Sequence, residues 1–425
     1  MRFLAEYGND IVSYSMLSQS GKTLMDKGVS RFGIALGILC AVGPMATDMY
    51  LGAMPAIATS LDGSAAGVQL SVMAFFLGFT VGQLFYGPIS DRTGRKPMIY
   101  LALTIFVVSS VGCMVARDIP QLLAWRLLQG AGGSIGMVMA AAVIRDLYTG
   151  VKAARMMSIV VLVNGVAPIV APLLGSLLLG LGSWRLIFLG LALFGLVAGL
   201  LAWFLLPETR MGELRRVSKP HHAFKWYRHL LGRRDFIPYA GTLALAQGGF
   251  FVYIAGSSFI FIDLYGLSPL AYSLLFSLNA IGLAIGAQVA TRQVPRHGLR
   301  AVAKLSTVIY ATAAVLLLAI QLAGAGGIVP TSVLLFVMVA SLGGIMPTCN
   351  VLCLEGHGAI SGVAAALMGA LGFGAGAAAS FLLGLLENGT ATPMIGIIAV
   401  CAAAAALTSH AAFPRGTERA EAAHA

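Results

Sequence analysis

The stretch Gly87-Pro-Ile-Ser-Asp91-Arg92-Thr-Gly94-Arg95-Lys96-Pro97 decides how the rest of the chain is read. It concentrates one acid and three bases in a short gap, and the sequence turns apolar on both sides of it, over 68–88 and 97–116. A helix needs about 20 apolar residues to cross the hydrocarbon core of a bilayer. Two runs of that length joined by a charged gap are the pattern of two membrane-spanning helices and the turn between them.

Moving outward, the pattern recurs along the whole chain. Candidate spans lie at 32–57, 68–88, 97–116, 121–144, 155–181, 185–206, 236–263, 269–290, 304–324, 329–353, 359–386 and 391–413. The composition agrees: 58% of the 425 residues are hydrophobic and 10% charged, against about 25% charged in soluble domains. Too little polar surface exists to clothe a soluble fold of this size. The sequence therefore predicts an all-α membrane protein of twelve helices.

The excess of bases, a formal charge of +11, fits topology rather than nucleic acid. They occupy short gaps between apolar runs, with no basic face carrying interleaved aromatics. Residues 1–31 have no signal-peptide core, because Glu6 and Asp10 interrupt them. They read as a tail, with Met1, Met16 or Met25 open as the start. With the N-terminus placed in the cytoplasm, the bases of that tail, of 92–96, of 145–155, of 207–235, of 292–304 and of the 414–425 tail all fall on the cytoplasmic side. Only Arg117, Arg126 and Arg185 of the 27 fall elsewhere. The positive-inside rule then puts both termini in the cytoplasm.

The basic linker 207–235 divides the chain into an N-terminal bundle, 32–206, and a C-terminal bundle, 236–413, of six spans each. An internal echo supports duplication. Gly82 and Gly94 near the end of span two are matched 204 residues later by Gly286 and Gly298 near the end of span eight, with Pro295 in place of Asp91. Two related halves around a central cavity is a transporter layout.

The Gly87–Pro97 stretch resembles the loop between helices two and three of the major facilitator superfamily. Thr47-Asp48-Met49-Tyr50-Leu-Gly52-Ala-Met-Pro55 and Ile144-Arg145-Asp146-Leu-Tyr-Thr-Gly-Val-Lys152-Ala-Ala-Arg155 resemble its bicyclomycin- and chloramphenicol-resistance branch of drug exporters (Bcr/CflA). Arg126-Leu-Leu-Gln129-Gly130-Ala-Gly132 is similar to the family's charged fourth helix, and Gly165-Val-Ala-Pro168-Ile-Val-Ala-Pro172-Leu-Leu-Gly175 to its antiporter motif. The resemblance is close over the first half. In the second it rests on layout and a local echo at Ser361-Gly-Val-Ala-Ala-Ala-Leu. Gly52 stands where this branch usually has Pro, which leaves the bend of helix one open. The resemblance implies two pseudo-symmetric six-helix bundles in a bacterial inner membrane. It further implies a drug:proton antiporter acting as a monomer, with protons, membrane lipid and a small amphiphilic compound as partners and no cofactor.

Asp48 is the acid deepest in an apolar span. A charged carboxylate at mid-bilayer costs roughly 2.5–3.5 kcal/mol on insertion scales, and burial favours the neutral acid. Such a group can load a proton on one side and release it on the other. A carboxylate capping a broken helix beside Gly52 and Pro55 is the plainer alternative. Arg126 carries a charge that it cannot shed. In the family, helices one and four both line the cavity of the first half, which implies that Arg126 senses whether Asp48 is charged and helps release its proton; the alternative is snorkelling to the interface. Gly87, Asp91, Arg92, Gly94 and Arg95 are expected to form a cytoplasmic gate pairing with a helix end across the halves. Gly165, Pro168, Pro172 and Gly175 share one side of helix five and are expected to make a tight contact between the halves. Met49, Tyr50, Gln129, Asn164, Gln247, Tyr253 and Asn279 are the candidates for facing the cargo.

Other function classes find less support. The five cysteines sit in or beside apolar runs, which argues against a disulfide framework. Cys349 and Cys353 lie one turn apart without a His or third Cys to complete a metal site. The seven histidines lie in loops, span ends or tails, and neither His-Glu-x-x-His nor Gly-x-Ser-x-Gly occurs, so an enzyme is not expected. A proton-coupled metabolite symporter on the same fold is the main alternative. A sensor that has lost transport would not need Asp48 and Arg126.

Overall fold

A computed structural model describes residues 29–211, 220–357 and 360–413; the side chains of 29–31 and 220–222 lie outside the description, as do the expected tails. Among the described residues, twelve helices are long and apolar enough to cross a membrane. Spans one to six are Val29–Leu51, Ala65–Thr93, Arg95–Val115, Ile119–Leu147, Gly150–Gly180 and Arg185–Leu205. Spans seven to twelve are Ile237–Leu264, Pro269–His297, Leu299–Leu322, Ile328–Leu354, Ser361–Leu386 and Thr392–Ala412.

The two halves pack by one scheme. In the first, spans one and five, two and four, three and six, and one and six are neighbours. In the second, seven and eleven, eight and ten, nine and twelve, and seven and twelve repeat those pairings six spans on. The halves meet along two seams, spans two and eleven and spans five and eight, which are exchanged by the same operation. Helix punctuation repeats as well. Ser64 and Ser268, 204 residues apart, cap spans two and eight by accepting from the amides of Gly67 and Ala271. Gly94 (φ +104°) and Gly298 (φ +80°) turn the chain into spans three and nine in a left-handed conformation that suits glycine. This is the all-α, two-bundle architecture of the sequence reading.

Several expected boundaries shift. Span one breaks at Gly52–Ala53, and the chain resumes as the short helix Met54–Ser60, so the run 32–57 is not one helix. Glycine's low helix propensity allows the break, which Pro55 then sets by starting the next helix. Spans two, five and eight are longer than their apolar runs, reaching Thr93, back to Gly150 and His297. Hydropathy marks where lipid ends, and a helix continues past that point wherever its polar residues tolerate it. Asp91 and Arg92 therefore sit on the last turn of span two rather than in a loop. The linker, read as a basic loop, holds the helix Pro220–Leu231. It lies along span two, where Tyr227 donates to the Leu84 carbonyl (3.1 Å) and Phe224 meets Phe85. The face of the bundle carrying this linker is called the linker face below, and the opposite one the far face.

Candidate functional site

Span one carries the centre of the site. Asp48 is 5% exposed and makes no side-chain hydrogen bond or ion pair among the described residues. It lies one turn inside Gly52, which packs against the hydroxyls of Ser176 and Ser273 at the seam between the halves. It lies within electrostatic range of Tyr253 and Tyr272 in the second half. Tyr253 and Asn279 are joined, the Asn279 amide donating to the tyrosine hydroxyl at 2.7 Å, and Tyr253 stacks on Phe276.

Arg126 is 0% exposed, so it does not snorkel. Nor does it pair with Asp48 among the described residues. Its guanidinium lies between the rings of Tyr50 and Phe75, 4.5 and 4.4 Å from their centroids. Nη1 donates to the Ala46 carbonyl (3.0 Å) and to Gln129 Oε1 (2.7 Å); Nε and Nη2 have no partner. Gln129 passes the network on to Ser110 at 2.8 Å, and the Tyr50 hydroxyl meets Ser71 at 2.7 Å. The reason for the separation is helical. Ala46 and Tyr50 are four residues apart and share a face of span one, whereas Asp48, midway between them, points the other way. Tyr50 and Gln129 are thus spent on holding Arg126, not on lining a cavity. Met49 is buried too, with its carbonyl against Gly175.

A cluster of rings closes the first seam. Phe79 of span two stacks on Phe373 of span eleven (4.1 Å), and Phe251 of span seven meets Phe76 (4.3 Å) and Phe373 (4.8 Å). Gln83 and Gln247 flank it, each with an unpartnered buried Oε1, against Gly369 and Gly372. The sequence reading missed these rings. Their signal was Phe75-Phe76…Phe79 at helical spacing, indistinguishable in one sequence from ordinary packing.

Among the described residues, the hydrogen bonds named for the second seam lie toward the far face. Ser176 bonds Ser273 (2.6 Å) and donates to the Pro269 carbonyl (3.0 Å), and Ser277 donates to the Ile169 carbonyl (2.8 Å). Gln69 donates to Glu387 across the other seam on the same face. Toward the linker face span five packs on span one, where an added Cβ on Gly33 or Gly37 would meet Ile159 or Val163, but its other side is open: Gly165 has nothing within 4 Å of an added Cβ, and a shallow groove runs along Ala154, Met157, Ser158, Val161 and Leu162. The neighbouring Asn164 has a buried Oδ1 with no partner. The expected glycine–proline contact between halves is corrected accordingly. Pro172 is buried and Pro168 partly so, and Gly175 closes on span one of its own half. The cross-half bonds come from Ile169 and Ser176.

On the linker face, the ion pairs of Asp91 and Arg95 among the described residues lie within the first half. Arg95, buried in spite of its charge, pairs with Asp91 (2.7 Å) and Asp146 (3.0 Å) and donates to Ser90. Asp91 also pairs with Arg210 (3.0 Å), Glu208 accepts from the amides of Arg95 and Lys96, and Thr209 donates to Asp146. So, among the described residues, Asp91 ties the turn between spans two and three to the segment after span six, and Arg95 adds the end of span four through Asp146. Arg92 is exposed, with no ion pair among the described residues, and a Cβ on Gly87 would meet only Val138 at 3.7 Å. Asp146, Glu208 and Arg210 were not expected in this cluster, since their meeting depends on how three helix ends converge.

Two pseudo-symmetric six-helix bundles define a transporter fold, and the chain belongs to the Major Facilitator Superfamily, whose model matches residues 36–380. It is 35% identical to the uncharacterized MFS-type transporter YdgK of Bacillus subtilis over 382 residues, covering 88% of this chain and 94% of that one. It is 27% identical to the bicyclomycin resistance protein homolog of Haemophilus influenzae, again with 88% and 94% covered. Among solved structures, a D-xylose–proton symporter superposes with a TM-score of 0.74 at 16% identity, over 92% of this chain and 99% of that one; at that identity the likeness is one of fold. The chain is a multi-pass membrane transporter for small molecules.

Proposed function

We propose that the chain is a proton-coupled antiporter exporting small amphiphilic compounds of the bicyclomycin and chloramphenicol kind across the bacterial inner membrane. The observation that carries this reading is Asp48: a buried carboxyl with no cation beside it, at the junction of the halves. An unpaired acid in a low dielectric favours its neutral form. Exposure to water when one seam opens lets it release the proton. Cargo entering the same space and a proton on Asp48 oppose each other, so each displaces the other. One pH unit supplies about 1.4 kcal/mol, and each charge moved adds about 2.3 kcal/mol per 100 mV.

In this reading the linker face is cytoplasmic, with both termini there, because the described bases of spans two, four and eight and of the linker gather on it. The form described here holds the far face shut and span five open toward the cytoplasm. Rocking of the halves breaks the Ser176–Ser273 and Gln69–Glu387 contacts and closes spans five and eight over Gly165. Arg126 acts as a positioning residue. It grips span one through the Ala46 carbonyl and the Tyr50 ring, and so sets the rotation that aims Asp48 at the second half. Asp91, Arg95, Asp146 and Arg210 clamp the cytoplasmic ends of the first half so that it moves as one body.

The test uses inverted membrane vesicles. Drug-induced collapse of a preformed pH gradient is expected with wild type and not with Asp48→Asn. Equal, uncoupler-sensitive drug uptake by both proteins removes Asp48 from the coupling role.

A further inference from the structure

At the far face a cavity of about 180 Å³ lies between the start of span two, the end of span seven and the turn joining spans eleven and twelve. Its polar lining includes Gln69, Asp263, Glu387 and Thr390, with no lysine or arginine, and its apolar wall includes Phe259, Leu383 and Met394. Asp263 sits on a single π-helical turn, Phe259–Leu264, that ends span seven. Such turns are uncommon and concentrate at functional sites.

Gln69 adds an independent observation. It is 1% exposed, and its Nε2 donates to Glu387 Oε2 at 3.1 Å. Glu387 Oε1 in turn accepts from the Gly389 amide at 2.9 Å. The Glu387 carboxyl accepts from the Gln69 nitrogen, which turns the amide oxygen away from it. That leaves Gln69 Oε1 buried without a donor. A contact meant only to fasten the halves would not need an orphaned acceptor in the wall of a cavity. The named polar groups are thus dominated by acceptors, two of them carboxylates, and the surrounding wall is apolar.

We propose that this cavity is a binding subsite for amphiphilic organic cations bearing N–H groups, such as aromatic amines and amidines. The cationic N–H group bonds Gln69 Oε1 between the carboxylates of Asp263 and Glu387, and the ring system lies on Phe259, Leu383 and Met394. A plain inorganic cation would leave that apolar wall unused. Under the export reading, on which the direction of use rests and which this site widens from uncharged to cationic amphiphiles, this is the last station before release. Because Gln69 belongs to the first half and the other lining groups named here to the second, a ligand seated here bridges the seam that must part for the far face to open.

The test is equilibrium binding of proflavine, a fluorescent aminoacridine cation, to the full chain in nanodiscs of zwitterionic lipid, read by anisotropy with empty discs subtracted. The expected result is saturable binding that weakens at least tenfold in the double variant Asp263→Asn/Glu387→Gln and several-fold in Gln69→Leu. Asp62→Asn, which removes an exposed acid from the loop preceding span two, should bind as wild type does. Glu387→Gln keeps a hydrogen-bonding group beside Gln69, and a melting curve for each variant confirms that the bundle is intact. Wild-type affinity in the double variant overturns the proposal, and so does an equal loss in Asp62→Asn, which would mark diffuse surface charge. The measurement uses no gradient and no transport. A failed vesicle assay therefore strikes the export reading alone, and a failed binding assay strikes the subsite alone.

Discussion

Arg126 is a cation held by ring faces and amide oxygens, with no carboxylate among its partners. A desolvated cation–π contact is worth about 2 kcal/mol or more, and here two rings share one guanidinium. Gln129 is the joint between that cation and Ser110. Gln129→Leu would strand a buried guanidinium N–H, at a cost of about 1–3 kcal/mol, while Ser110 keeps its bond to the Phe106 carbonyl. It should lower the melting temperature of purified protein in detergent; an unchanged melting temperature means that the side chain holds nothing. Arg126→Lys should fare worse in transport than in folding. An ammonium cannot lie flat between two rings while reaching both Ala46 and Gln129, so span one loses its rotational anchor. Drug efflux near wild type from Arg126→Lys would show that the planar contacts do not position Asp48.

At the scale of elements, close approach of backbones decides where small residues are needed. An added Cβ on Gly175 would run into the Met49 carbonyl, whereas one on Gly165, ten residues earlier in the same helix, meets nothing. Gly175→Ala must therefore push span five off span one, an overpacking cost of about 1–3 kcal/mol, and should reduce folded yield and melting temperature. Gly165→Ala should leave both as in wild type. If transport nonetheless falls in Gly165→Ala, the residue serves the other conformation, in which spans five and eight close. Equal folded yields for the two variants would sink the packing account. The linker helix adds a second element-scale point: its aromatic side rests on span two, so its register follows that span.

For the whole molecule, the decisive feature is that the hydrogen bonds named for the seam between spans five and eight lie toward one end. Ser176 and Ser273, with oxygens 2.6 Å apart, mark the far-face lock of the described form. Cysteines at these two positions, in a chain stripped of its native cysteines, should be joined by a short bifunctional reagent. The product should stop exporting drug until a cleavable linker is cut. Wild-type export by the cross-linked protein would mean that the far face never parts there. The ring cluster closes the other seam. Phe373→Ala removes contacts to Phe76, Phe79 and Phe251 together, so it should cost about 3–5 kcal/mol of stability, unless water refills the gap, and a melting curve checks this.

Much of this was legible in one dimension, and the reasons are physical. Lipid demands about 20 apolar residues per crossing, and the uneven distribution of bases carries orientation. Span number, halves, the 204-residue echo and the candidates Asp48, Arg126 and Asp91 therefore followed from the order of residues alone. Partnership did not. Whether Arg126 faces Asp48 depends on the rotation of span one, and 46, 48 and 50 look alike until that rotation is known. The Asp91–Arg95–Asp146–Arg210 cluster needs three helix ends to converge, and the open side of span five toward the linker face needs the tilt of one bundle against the other. Composition and period set which segments enter the bilayer. Only the packing of those segments, governed by backbone approach at glycines and by rings filling the seams, decided which charged groups meet and which stay apart.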